Sequence, residues 1–160
     1  MIKLDRLDVK ILQALQRDGR MTKLKLAESI NLSPTPCWMR LNRLEEAGVI
    51  RGYSARLNVG KIARAISILV AISLTRHRLV DMQEFERAVQ GIPEIVECYA
   101  TGGGIDYLLR VVTRDIESYE GLIGRLLASE VRIERYFTYV VTRHVKDSGS
   151  IPVETLLEHQ

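Results

Sequence analysis

The apolar positions in the first third of the chain recur at helical rather than strand spacing. The first predicted helix carries a set of aliphatic side chains on one face: Leu4, Leu7, Ile11, Leu12 and Leu15. Asp5 is placed to cap this helix, and Asp8 lies in its first turn, where the helix dipole favours a negative charge. The pattern indicates an amphipathic helix that packs one face against a small core.

Residues 21–48 contain two further helical patterns joined by a tight turn at residues 31–33. The first pattern places Leu24, Ala27 and Ile30 on one face. The second buries side chains that are four and three residues apart: Cys37, Leu41 and Leu44. Helix, tight turn and helix in this order are typical of helix-turn-helix DNA-binding domains.

The second of these two helices has the cap and the polar face that suit contact with DNA. Ser33 suits the N-cap position, and Pro34 falls at the first helical position, where its missing N–H is tolerated. Trp38 borders the apolar stripe and is expected to pack against the core. Arginines on the face away from that stripe can pair with guanine or clamp a phosphate. We therefore predict DNA contacts from the preceding helix, the turn and this helix, at Lys23, Ser33, Thr35, Pro36, Met39, Arg40 and Arg43.

From Ala65 the periodicity changes to alternation, which predicts strands. Strands are predicted at residues 66–74, 95–101, 105–113 and 131–142, with amphipathic helices after the first and the third. This β-α-β-β-α-β order is that of a ferredoxin-like domain, an antiparallel sheet with both helices on one face. The face opposite the helices is predicted to be partly apolar, so we expect a second subunit to cover it, at Leu69, Ala71, Tyr136 and Val140.

The predicted fold class is therefore α+β, with two domains and a tail. A helix-turn-helix, winged-helix-like domain is expected at residues 1–60 and a ferredoxin-like domain at residues 61–147, followed by a tail at residues 148–160. Residues 49–57 alternate weakly and are expected to form a short wing or a linker strand.

The charge of the chain is unevenly distributed. The net charge is +3, and residues 1–60 hold 11 Lys/Arg against 6 Asp/Glu, out of 23 and 20 in the whole chain. The rest of the chain is therefore slightly acidic. A basic N-terminal third favours contact with nucleic acid.

No pattern in the sequence predicts export, membrane insertion or catalysis. No apolar run approaches the roughly 20 residues that span a bilayer, and Asp5 and Asp8 interrupt any signal-peptide core. Cys37 and Cys98 are expected to be reduced thiols in a cytoplasmic protein. The histidines lack metal-ligand spacing, so we predict no metal, no other cofactor and no enzyme activity.

Three stretches of the sequence resemble the Lrp/AsnC (feast/famine) family of bacterial transcription regulators. Residues 33–50, SPTPCWMRLNRLEEAGVI, closely resemble the recognition helix of that family. Residues 4–12 are similar to its opening helix, and residues 103–107, GGIDY, to a motif of glycine, two variable residues and Asp-Tyr. The three matches occur in the same order as in the family and cover nearly the whole chain.

The resemblance implies a sequence-specific transcription regulator that binds double-stranded operator DNA. It also implies a homodimer formed through the C-terminal domain, often assembled into tetramers or octamers, and a small-molecule effector, commonly an amino acid. The effector-binding positions that it implies are Gly103, Gly104, Asp106 and Tyr107. Gly104 stands where an acidic residue is frequent in the family.

Three alternatives to these interpretations stay open. The glycine-rich turn could be a plain hairpin turn, with Asp106 in a structural role. The chain could also be an architectural DNA-bending protein without an effector. Alternatively, it could be a metabolite-binding or enzyme module whose N-terminal DNA-binding domain (the head) is vestigial. DNA binding that does not respond to metabolites would indicate the architectural protein. Absence of DNA affinity at low salt would indicate the metabolite-binding or enzyme module.

Overall fold

A computed structural model describes residues 2–129, 131–146 and 149–157 of the chain. It divides into two compact units, one formed by residues 1–56 with 146–160 and the other by residues 57–145. The sequence places a domain boundary at residues 147 and 148, which lie outside the described residues. The C-terminal segment thus belongs to the same unit as the N-terminal helices.

The first unit is built on three helices: α1 (Arg6–Arg17), α2 (Lys23–Ser29) and α3 (Pro34–Glu46). Their shared core is centred on Ile11, Leu26 and Leu44, which are fully buried. Leu24, which the periodicity assigns to the buried face of α2, is instead 57% exposed. α2 packs on the core through Leu26 and Ala27 instead.

Local backbone chemistry sets the ends of these helices. Asp5 caps α1, as the sequence predicts, and Asp8 completes a reciprocal capping box with it. Asn31 has a φ of 55° and Gly48 a φ of 69°, so both adopt the left-handed conformation that ends α2 and α3. Ser33 occupies the N-cap position of α3, but its side chain makes no capping hydrogen bond.

The second unit has the predicted ferredoxin-like order of elements. These are β1 (Ile66–Leu74), α4 (Leu79–Gln90), β2 (Ile95–Ala100), β3 (Tyr107–Thr113), α5 (Ile116–Ala128) and β4 (Ile133–Val140). The four strands are antiparallel and lie in the order β2-β3-β1-β4. The main core lies between the sheet and the two helices, around Ile68, Val70, Ile72, Phe85 and Leu109.

The strand register corrects one part of the predicted open face. Tyr136 pairs with Ile72 and Val140 with Ile68. Residues directly opposite in an antiparallel pair share a face, so Tyr136 and Val140 lie on the same face as the core. The open face instead presents a mostly apolar set, half of it strongly exposed: Leu69, Ala71, Tyr99, Leu108, Phe137 and Tyr139.

Residues 49–57 form no strand in this structure; they are irregular and mostly exposed, and a 3-10 turn follows at Val59–Lys61. The last described helix, α6 (Val153–Leu157), belongs to the first unit. Val153 packs against its core, and the side chain of Gln16 forms two hydrogen bonds with the backbone of Ile151. None of the helices in the described part of the chain combines the length and apolar composition needed to cross a membrane.

Candidate DNA-binding surface and effector turn

The N-terminal half of α3 presents an exposed face. Cys37, Leu41 and Leu44 are buried, whereas the predicted contact residues Ser33, Thr35, Pro36 and Met39 are exposed. Met39 is 63% exposed, which places it clear of the core. In helix-turn-helix proteins this end of the second helix enters the major groove. The structure thus brings these four predicted residues together on one surface.

The two arginines of α3 do not project freely from that surface. The Nη1 of Arg40 lies 2.6 Å from Oδ2 of Asp5 and 2.9 Å from Oδ1 of Asp8. The Nη2 of Arg43 lies 2.5 Å from Oδ2 of Asp8. Both guanidinium groups are therefore engaged by the carboxylates of the α1 capping box, a pairing that the sequence does not predict.

This four-residue cluster, which we call the acidic clamp (Asp5, Asp8, Arg40 and Arg43), fixes α3 against α1. Asp8 is fully buried, and both its carboxylate oxygens are used. The backbone N–H of Asp8 and the guanidinium of Arg40 hold the pKa of Asp5 below its usual range. Burying a carboxylate is costly unless it is paired, and the two arginines supply the pairing for Asp8. The side chain of Arg43 is still half exposed, which leaves part of it accessible to DNA.

On the other flank of α3, Trp38 meets Lys23 of α2. The Nζ of Lys23 lies 4.9 Å from the centre of the Trp38 ring, within the range of a cation–π contact. Trp38 is 44% exposed, so it is a surface residue rather than the core residue that its position beside the apolar stripe suggests. The sequence analysis therefore missed it as a member of this surface.

The predicted effector turn lies between β2 and β3 in the second unit. Gly102, Gly103 and Gly104 are exposed, and no atom would obstruct a Cβ at any of them. Gly103 has a φ of 138°, which side-chain-bearing residues rarely adopt. The turn is closed by a hydrogen bond of 2.8 Å from the N–H of Thr101 to the carbonyl of Asp106. It therefore presents bare backbone that a small ligand can approach.

Asp106 lies at the base of the turn and is already engaged. Its Oδ2 accepts a hydrogen bond of 2.7 Å from the backbone N–H of Leu74, and its Oδ1 lies 3.1 Å from Nε2 of His77. The side chain is 17% exposed. It therefore joins the end of β1 to the start of β3, and only a small part of it faces solvent.

Tyr107 is a core residue. Its side chain is 1% exposed, its ring centre lies 4.4 Å from that of Phe85, and its hydroxyl donates to Glu86 at 2.9 Å. Burial, together with the Glu86 carboxylate, raises its pKa. The structure thus does not bring the Tyr107 side chain onto the exposed surface with the glycines, and direct contact with a ligand on that surface is ruled out for it here.

Three side chains around the turn escaped the sequence analysis: His77, Glu86 and Arg135. Arg135 on β4 donates a hydrogen bond of 3.4 Å to the carbonyl of Gly104. Each is far from the turn in sequence and is brought near it by strand pairing or by helix packing, which single-sequence periodicity does not encode. No sequence signal pointed to them.

Groups able to hold a metal ion are not found among the described residues. Cys98 on β2 is exposed, but partial burial of its thiol and the nearby Glu86 carboxylate raise its pKa. A raised pKa disfavours the reactive thiolate.

Comparisons with known proteins agree with both predicted domains. A family model described as Lrp/AsnC ligand binding domain matches residues 67–151, and one described as winged helix-turn-helix DNA-binding matches residues 4–51. The chain is 51% identical over 156 residues to the transcriptional regulatory protein DoeX of Halomonas elongata, covering 97% of this chain and 99% of that protein.

Two further relatives extend the comparison. The leucine-responsive regulatory protein of Escherichia coli is 39% identical, over 95% of this chain and 93% of that protein. A transcriptional regulator of Neisseria meningitidis, solved as a complex with L-Met, has a TM-score of 0.89 and 33% identity, over 97% of this chain and 100% of that one. With a DNA-binding helix-turn-helix at one end and a ligand-binding domain at the other, the chain belongs to the Lrp/AsnC family of transcription regulators.

Proposed function

We propose that this regulator reads its operator through the exposed N-terminal half of α3, with Ser33, Thr35, Pro36 and Met39 facing the major groove. The observation that carries this proposal is that these residues are exposed together while the acidic clamp fixes the helix that bears them. Lys23 and the half-exposed Arg43 add contacts to phosphate or base edges, and Arg40 acts mainly by positioning α3.

The effector is proposed to be an amino acid or a related compound bound at the glycine-rich turn. One relative is named for its response to leucine, and another was solved with L-Met. Exposed backbone N–H groups at Gly103 and Gly104 suit a carboxylate, because small anions bind where amides converge. Asp106 and Tyr107 support the turn from below, with the exposed edge of Asp106 available to an ammonium group.

The functional unit is proposed to be a homodimer joined through the open face of the sheet and assembled further into tetramers or octamers. Phe137 and Tyr139 support this proposal, since both are about half exposed on that face. A dimer would set two heads on half-sites about 34 Å apart, or a multiple of that distance. An effector that binds one assembly better than another would then change DNA affinity by that difference.

We propose that the protein acts in the cytoplasm on chromosomal DNA and has no catalytic role. Its relatives are transcription regulators, and the raised pKa of Cys98 argues against a nucleophilic thiol. Its functional division follows the sequence, with a DNA-binding part at residues 1–60, an effector and assembly part at residues 61–147, and a tail at residues 148–160.

The DNA-binding proposal is tested by Thr35→Glu. A glutamate in the first turn of α3 suits the helix dipole, so the fold should persist, but its charge would face the phosphates. We expect footprinting of the upstream region of the gene to show paired, regularly spaced protection for the wild type and none for T35E. Gln83→Glu, on the exposed face of α4, makes the same charge change elsewhere and should leave the footprint intact. An unchanged T35E footprint would contradict the proposal.

A further inference from the structure

Lys23 is among the proposed DNA contacts, but its pairing with Trp38 is not explained by them. Lys23 is the first residue of α2 and Trp38 lies one turn into α3, and the ammonium group sits over the indole ring at 4.9 Å. Both side chains are exposed. Trp38 is 44% exposed and is not among the side chains that pack against the core of the first unit, so its ring is available to hold the cation beside it.

The charges on the two flanks of α3 differ. On the flank that meets α1, Arg40 and Arg43 are balanced by Asp5 and Asp8. On the flank that meets α2, Lys23 rests on a neutral aromatic ring, which holds the ammonium group without neutralising its charge. Among the residues that the structure describes, no carboxylate forms an ion pair with Lys23, and a cation held in this way is suited to an anion from outside.

We propose that Lys23 and Trp38 form a phosphate-contact site of the head, in which Lys23 binds one backbone phosphate of the operator and Trp38 is the positioning residue that holds it there. This inference rests on the proposed DNA binding and deepens it. A lysine otherwise loses rotamer freedom when it contacts a ligand, and an aromatic platform reduces that loss before DNA arrives. The contact carries no base specificity, so it adds equally to operator and non-operator affinity.

The test is a double-mutant cycle on DNA affinity with Lys23→Gln and Trp38→Leu, measured by anisotropy at several salt concentrations. Losing one phosphate contact makes the negative slope of log K against log salt less steep by about 0.9, and we expect this change for K23Q. W38L should weaken wild-type binding by about two- to fivefold, the strength of an exposed cation–π contact. In the K23Q background W38L should have no further effect. Trp38→Phe, which keeps a ring, should lose less than W38L.

Lys25→Gln is the matched control, because Lys25 is exposed on the same helix and shows no ring contact in the described structure. If K23Q still binds DNA and its slope of log K against log salt equals that of the wild type, the phosphate-contact proposal is overturned. The DNA-binding proposal would still stand. A W38L loss that persists in K23Q would overturn it too, since the ring would then contact DNA by itself. Absence of wild-type binding to any DNA at low salt would instead remove both proposals.

A second readout comes from the protein itself, because Trp38 is the single tryptophan of the chain. Its fluorescence should change when operator DNA is added, since the contact would reduce its exposure to water. The midpoint of that change should match the anisotropy titration. A spectrum unchanged by saturating DNA would place Trp38 away from the interface and overturn the proposal.

Discussion

The fully buried carboxylate of Asp8 lies 2.5 Å from the guanidinium of Arg43, joining the first turn of α1 to the recognition helix. The same carboxylate also takes Arg40 and the N–H of Asp5. One pair of acidic residues thus caps α1 and orients α3. The position of the DNA-reading helix therefore depends on residues at the start of the chain that need not touch DNA.

Replacing Asp8 by Asn should destabilise the first unit by about 3 kcal/mol, as breaking a buried ion pair does. The asparagine side chain has nearly the same shape as that of Asp8, but Arg40 and Arg43 lose the buried negative charge that they pair with. Urea unfolding followed by the fluorescence of Trp38 would measure the change within this unit.

Glu28→Gln is the control for Asp8→Asn, since Glu28 is exposed on α2 and the same charge is removed. It should change the unfolding free energy by less than about 0.5 kcal/mol. Equal stability of D8N and E28Q would show that the acidic clamp is not needed for the fold.

Replacing Phe137 by Asp should dissociate the proposed dimer. Phe137 lies on the open face opposite Ala71, so a charge there would be buried on assembly. We expect the dissociation constant to rise by at least about tenfold, as for loss of a central aromatic contact. Light scattering over a dilution series would follow it. Leu127→Asp, at an exposed position on α5, is the control and should leave the mass unchanged.

Gly103→Ala and Gly104→Ala form a matched pair at the effector turn. Neither added methyl group meets an atom within 4 Å, but only Gly103 has a positive φ, of 138°. Gly103→Ala should therefore cost about 1–3 kcal/mol in backbone strain and reduce effector affinity, while Gly104→Ala keeps the conformation. Calorimetric titration with amino acids would measure both. Equal affinity of the two variants would show that the turn conformation does not matter for binding.

The stability of the second unit should fall in acid partly through Asp115, which caps α5. Hydrogen bonds from Ser118, with the nearby Arg114 guanidinium, lower its pKa from 3.8 to about 2. A folded-state pKa below the unfolded value gives stability that is present above about pH 4 and is lost as the pH falls towards about 2. Asp115→Asn, an uncharged cap, should lack this component. Parallel pH profiles of the wild type and D115N would contradict the assignment.

The sequence predicts the features that are local along the chain. The Asp5 cap of α1, the tight turn at residues 31–33 and the βαββαβ order all follow from spacing and turn chemistry, and the structure has them. The pairing of Arg40 with Asp8 spans 32 residues and escaped prediction. The sequence does contain a signal for it. Asp5 and Asp8 are three residues apart, and so are Arg40 and Arg43, so each pair lies on one face of its helix and the two faces can meet.

The remaining errors come from packing and register. Leu24 and Trp38 lie at the border of apolar stripes, where spacing alone does not decide exposure. Tyr136 and Val140 were assigned to the wrong face because a one-residue change of register exchanges the two faces of a strand. The Asp-Tyr motif marked the effector turn, but only the structure shows that Tyr107 is buried beneath it.

The central claim is that one chain couples operator binding to a small ligand. The most direct test is anisotropy of the full-length protein on its own upstream region, with competitor DNA, in the presence and absence of individual amino acids. The account predicts operator-specific binding whose dissociation constant changes about 5- to 150-fold with one amino acid or a close relative of one. Specific binding that no such compound alters would contradict the proposed coupling and favour an architectural DNA-binding protein.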